Sequence, residues 1–189
     1  MPPGFRAFPG GDDPWAAALH SIALGAEPGS VFYDGTNGRC QAAFVFTPDR
    51  PFDGANLLLN LGTLALYDAV AVLAPPQVPV HILAPDGLAV DGGRVATLRV
   101  LEAAAHTDAI PDWAVLGIDV AIGLQGAAPG ETPDRTSLAE EGFGDVVSAD
   151  VLTHMSRHLL GWIDAWQQHG AAALQREVAL RTLRATVAA

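Results

Sequence analysis

Apolar positions along the first third of the chain recur at helical and then at strand spacing. Trp15, Leu19 and Ile22 repeat every three to four residues behind Asp12-Asp13-Pro14. This predicts a first helix capped by Asp12 or Asp13, with Pro14 in its first turn and Gly25 stopping it. SVFYD and RCQAAFVF are β-rich runs separated by GTNG, whose Asn37-Gly38 pair predicts a hairpin and presents Asp34 and Arg39 near a loop. Residues 53–73 carry Leu57, Leu61, Leu64, Leu66, Val70 and Leu73 with no proline until Pro75-Pro76, predicting a long buried helix.

Beyond Pro76 the period shortens. VPVHIL, GLAV and RVATLRVL predict strands, with Asp91-Gly92-Gly93 as a tight turn, and DWAVLGIDVAIGL predicts a long buried strand. QGAAPGETPDRT reads as a polar loop, TSLAEEG as a helical turn, and Asp150 as the start of a helix striped by Met155, Leu159, Trp162 and Trp166. An alanine-rich helix over roughly 171–185 follows, while MPPGFRAFPGGD predicts an extended N-terminal arm. The expected fold is α/β of the α+β type: a mixed, largely antiparallel sheet built from the hairpin and the strands between 78 and 124, flanked by helices. Helices one and two and the tryptophan-bearing helix are expected on one main face. With no repeat or linker, residues 1–189 are expected to form one domain, with an arm over 1–12, a core over 13–169 and a C-terminal helix over 170–189.

Composition narrows the chemistry. A chain of 189 residues, 50% hydrophobic, suffices for one sizeable core. The formal net charge of -11 argues against a nucleic-acid partner, because polyanion binding needs clustered cations. All 10 Lys and Arg residues are arginine. A GxxxxGK[ST] phosphate loop, a Schiff-base amine and a lysine charge over an acyl phosphate are therefore all excluded. One cysteine, Cys40, cannot make an internal disulfide, and no long apolar run or leader suggests a membrane partner; the cytoplasm is the expected compartment.

Several candidate groups have plainer readings. His154 and His158 sit four apart on one helix, but Met-Ser-Arg between them supplies no general base, so no metal site is expected. Asp34-Gly35-Thr36-Asn37-Gly38 lacks the remaining ligands of a calcium loop and reads as a turn. Cys40 reads as core, His20 and His81 as core or rim, and His106 and His169 as loop or helix-end residues. Arg94, leading into an apolar strand, is either an anion-binding fork or an edge residue.

Three segments carry a family resemblance. Leu83-Ala84-Pro85-Asp86-Gly87-Leu88-Ala89-Val90-Asp91-Gly92-Gly93-Arg94-Val95-Ala96 resembles the W-P-N-D-(L/V) turn and N-G-K-K-(V/L)-A-G-I hairpin of biotin and lipoate protein ligases. Trp113–Val120 is similar to their buried V-V-(I/L)-G-I-G-(I/L)-N-V strand, with Asp119 where the family has Asn. Thr136-Ser137-Leu138-Ala139-Glu140-Glu141-Gly142 resembles their T-S-L-x-E-x-G segment. The likeness spans roughly residues 13–169. It implies the ligase catalytic-domain fold and an activity in which ATP and magnesium activate biotin, lipoate or octanoate as an acyl adenylate for transfer to a carrier lysine.

The departures bear on that activity. Arg94 stands at the position of the family lysine that contacts the acid and its adenylate, so it is the implied catalytic candidate. Pro85, Asp86, Gly87, Arg39 and Asp119 are the implied ligand-binding residues, and the family's W, N and D become Ala84, Asp86 and Gly87. The G-R-G-R-x-G-R loop has no counterpart beyond Asn37-Gly38-Arg39, and the small C-terminal β domain of many such ligases has none. The resemblance thus implies either a ligase-like protein of degenerate activity or a non-catalytic module that binds a small acid or a carrier domain, or dimerises.

Overall fold

The computed structural model describes residues 1–36, 38–49, 55–103, 110–123 and 134–183. In chain order its elements are β1 (Arg6–Pro9), α1 (Pro14–Ala23), β2 (Ser30–Asp34), β3 (Arg39–Phe46), α2 (Ala55–Leu73), β4 (Val80–Leu83), β5 (Gly87–Val90), β6 (Gly93–Glu102), β7 (Ala114–Ala121), α3 (Ser148–His169) and α4 (Ala171–Arg181). The strands form one sheet in the order β1-β2-β3-β7-β6-β5-β4. Every neighbouring pair is antiparallel except β1 with β2, so the sheet is mixed and largely antiparallel.

Local chemistry accounts for the element ends. Asp13 caps α1 by accepting a bond from the Ala16 N–H at 3.0 Å. Asp150 accepts from the Val147 N–H at 3.0 Å, tying off the first turn of α3. Val90 pairs with Gly93 across a two-residue turn in which Asp91 and Gly92 have φ of 46° and 88°. Both φ values are positive, as the primed hairpin turns require, and Asp-Gly tolerates this at low cost. Ser137 O accepts from the Glu141 N–H, so TSLAEEG closes one helical turn without becoming a helix. Asn37 and most of the expected 125–136 loop lie outside the described residues.

The main core lies on one face of the sheet. Phe44, Leu116, Ile118, Leu88 and Ile82 meet Leu58, Leu61, Leu64 and Val70 of α2 and Met155 and Leu159 of α3. Trp162 and Trp166 continue the α3 stripe at half burial. By length and composition Asn56–Leu73 could cross a membrane, but it is the central core helix, buried between the sheet and α3.

Three expectations need correction. The N-terminal arm is not merely laid over the domain, since Arg6–Pro9 pairs in parallel with β2 as an edge strand. Helix α1 does not share the face of α2 and α3. Its Ala18 packs with Ala43, Val45 and Val115, whose side chains alternate with those of Ala42, Phe44 and Leu116 and point to the opposite face. The C-terminal helix ends at Arg181, short of residue 185, because Thr182 turns extended and bridges to Ile82 on the β4 edge.

Candidate functional site

Among the described residues, the face that carries α1 is only partly roofed. Across it, consecutive strand pairings put Asp34, Gln41, Asp119, Thr97 and Gly87 in one row over β2, β3, β7, β6 and β5. Paired residues share a face, so this row is a polar stripe on the side away from the main core. Asp119 Oδ1 accepts from Arg39 Nε at 2.9 Å and lies 2.6 Å from Nη2, and Asp119 Oδ2 accepts from Gln41 at 3.0 Å. One carboxylate is thereby fully engaged.

Arg94 reaches the same face through a bulge. Leu88 pairs with Ala96 but Ala89 pairs with Arg94, leaving Val95 as an extra residue that resets the alternation. The Arg94 guanidinium then crosses the space where Gly87 lacks a side chain: a Cβ there would sit 2.2 Å from Nη1. Nη1 lies 3.5 Å from Asp86 Oδ1, an ion pair looser than a direct hydrogen bond. On the other side of Arg94, residues Asp134 and Thr136 bond its backbone, which makes Arg135 its parallel-bridge partner on the same face. Pro85 stands exposed in the β4–β5 turn, following a cis peptide bond from Ala84.

The concave part of this face is a cleft of about 240 Å³ lined by Asp13, Pro14, Trp15, Gln41, Thr97, Arg99, Gly117 and Asp119, among others. Trp15 fits because Gly117 has no side chain: a Cβ there would lie 2.7 Å from the Trp15 ring. Arg99, paired with Gly117 across β6 and β7, also reaches the ring, its guanidinium carbon 4.1 Å from the centroid. Such a contact contributes about 0.5–1 kcal/mol at an exposed site.

The structure therefore splits the expected site set. Asp119 lines the cleft and Arg39 holds it, whereas Asp86, Gly87 and Arg94 form a second group beyond Thr97. Asp119, on β7, neighbours the strand that carries Arg94 and lies two strands from Gly87, with β6 between. Trp15, Gln41, Thr97 and Arg99 were missed. The alternation Thr97-Leu98-Arg99-Val100 places two polar side chains on the outward face of β6, a signal for the latter pair.

Several remaining candidates have structural partners, and His106 lies outside the described residues. His158 Nδ1 lies 3.9 Å from Asp68 Oδ2, which accepts from Trp162 Nε1 at 2.7 Å, joining α2 to α3. Among the described residues no three His, Cys, Asp or Glu side chains converge as a metal site. Asp34 accepts from the N–H and the hydroxyl of Thr36, a local turn. His20 is exposed and His81 half-buried. Cys40 is fully buried; burial pushes its thiol up from 9.0 to about 12, outweighing the lowering contact with Ser148.

A largely antiparallel sheet with its core helices on one face and an arginine-bearing polar cleft on the other defines an α+β ligase-like domain. The family model for the biotin/lipoate A/B protein ligase family matches residues 1–179, and the chain belongs to that family. A biotin protein ligase-like protein of unknown function from Silicibacter sp. TM1040 is 32% identical, over 96% of this chain and 80% of that one, with a TM-score of 0.83. The biotin protein ligase of Aquifex aeolicus is 15% identical over 88% of this chain and 72% of its own, with a TM-score of 0.70. That of Leishmania major, solved with biotinyl-5-AMP, is 14% identical over 100% and 87%, with a TM-score of 0.67. The last two establish shared fold alone. A comparison with curated proteins gives no match.

Proposed function

We propose that this is a ligase-like protein that binds a small carboxylic acid on its open sheet face but does not carry out adenylate-forming ligation at a useful rate. The observation that carries the reading is the setting of Arg94. At the position implied for the family lysine, a planar fork lies over Gly87 and faces Asp86, so its charge is already shared with a carboxylate. No other residue supplies an ammonium, since the sequence has no lysine.

Adenylate formation needs cations preorganised around the acid and the α-phosphate, and losing one such donor costs about a hundred- to a thousandfold in rate. Binding is less demanding: an arginine still attracts a carboxylate without the exact placement that an in-line attack requires. Four of the 10 arginines, Arg39, Arg94, Arg99 and Arg135, belong to this one face of an acidic protein, which favours an anionic ligand there. Family membership adds ATP and magnesium as groups the face could bind without turnover and a lysine-bearing carrier domain as a partner, and homodimerisation and a cytoplasmic location are proposed alongside.

The test mixes the protein with radiolabelled biotin, lipoate or octanoate, ATP, magnesium and a lysine-bearing carrier domain, beside an Arg94→Lys variant. The expected result is no carrier labelling by the natural chain. Labelling by the variant alone would further place Arg94 at the reacting centre. Robust labelling by the natural chain would overturn the reading.

A further inference from the structure

We infer that the cleft beside α1 takes a compact hydroxy- or oxo-carboxylic acid, with its carboxylate on Arg99, rather than an acid with an apolar tail. The inference rests on the acid-binding reading above and specifies its ligand class.

Arg99 is the cleft's available cation. Among the described residues its guanidinium meets no carboxylate; its interaction is the stack on Trp15 at 4.1 Å. With no carboxylate partner among the described residues, its N–H donors are uncommitted, and two of them match the oxygens of a carboxylate. The stack also fixes the fork before a ligand arrives, which lowers the ordering cost of binding.

The other charges of the cleft are engaged. Asp119 is held at both oxygens by Arg39 and Gln41. Asp13 Oδ1 is tied to the first turn of α1 through the Ala16 N–H. Among the described residues, an incoming anion therefore meets Arg99 as the uncommitted positive group, with Asp119 paired to Arg39 and Asp13 as the remaining unpaired negative charge.

The walls decide against an acyl chain. Leu98 and Ile118 touch the cleft, but their side chains belong to the main core on the opposite face, so on the open face they contribute backbone. Among the described residues, what lines the space beside Arg99 is Thr97, Gln41, Asp119, Pro14 and the rim of Trp15, with Gly117 as floor. Among the described residues these supply a hydroxyl and an amide for polar substituents, with Pro14 and Trp15 as short apolar walls and no aliphatic channel long enough for an acyl tail. A cleft of about 240 Å³ also falls below the roughly 300–1,000 Å³ usual for drug-sized ligands, which fits a small acid.

The experiment titrates the full chain by calorimetry with malate and succinate, and separately with octanoate and biotin, then repeats each on Arg99→Leu and Thr97→Val. Circular dichroism and melting temperature confirm that both variants fold; Arg99→Lys, which keeps the charge but loses the fork, serves as the second probe at that position. Malate is expected to bind most tightly and to weaken about tenfold or more in Arg99→Leu, the scale of one charge-assisted bond. Arg99→Lys should recover binding only partly, and Thr97→Val should erase the preference for malate over succinate. Tighter binding of octanoate or biotin than malate, or malate binding indifferent to Arg99→Leu, would overturn this inference while leaving an acid-binding protein. If none of the four acids binds, both the inference and the reading beneath it fall.

Discussion

At the scale of single residues, two glycines set where side chains on the open face can lie. Gly87→Ala would put a Cβ 2.2 Å from Arg94 Nη1, the far end of a flexible side chain, and 3.1 Å from the Ala96 carbonyl oxygen, a contact that a shift of a few tenths of an ångström relieves. The variant should therefore fold with little change in melting temperature while its Arg94 guanidinium moves, seen as a shift of the Arg94 side-chain NMR resonance; an unmoved resonance would contradict the geometry. Cys40 gives a pH signature. Its folded thiol, at about 12, sits above the unfolded 9.0, so its contribution to stability is full below pH 9 and is lost as pH rises toward 12. With no lysine to titrate in that window, the alkaline fall in stability should be shallower in Cys40→Ala than in the natural chain, measured by denaturant unfolding from pH 8 to 11. Identical slopes would refute this role. Arg94 and Asp119 were legible as site candidates because a motif surrounds them. Arg99 was not, since its meaning comes from Trp15, which lies more than eighty residues away in sequence and meets it only through the fold.

At the scale of elements, α1 is the segment whose place was misjudged. In RCQAAFVF both alternating sets are apolar, Ala42 and Phe44 on one face and Ala43 and Val45 on the other, so the strand is covered on both sides. The run carried that information, but periodicity does not say which helix covers which face. Among the described residues the second core is small, four buried residues with Trp15, Leu19, Ile22, Phe32 and Trp113 around it. Hydrogen exchange should therefore be faster in α1 than in the interior of α2, which is enclosed by the sheet and α3. Equal protection of the two helices would contradict this layering. Asp13→Ala should cost about 1 kcal/mol through loss of the cap. The β5–β6 turn and the long helices were legible because their signals are local: an Asp-Gly pair and an uninterrupted leucine pattern. Strand β1 was hidden by its proline and glycine content, and it forms at the sheet edge, where proline is tolerated.

At the scale of the whole molecule, a ligase-family fold carries arginine and no lysine. The fold was readable from element order and three segments, because sheet and helix patterns survive substitution within a shared core. The cleft was not, because it is made by rows across strands rather than by runs along them: Gln41, Asp119 and Thr97 become neighbours only in register. The central claim is that this face binds an acid without activating it. Its most direct test is ATP–pyrophosphate exchange by the natural protein with magnesium and each of biotin, lipoate, octanoate and malate. The account predicts exchange indistinguishable from the no-acid control for every acid. Acid-dependent incorporation of labelled pyrophosphate into ATP would contradict it, since that reversal occurs only where an acyl adenylate forms.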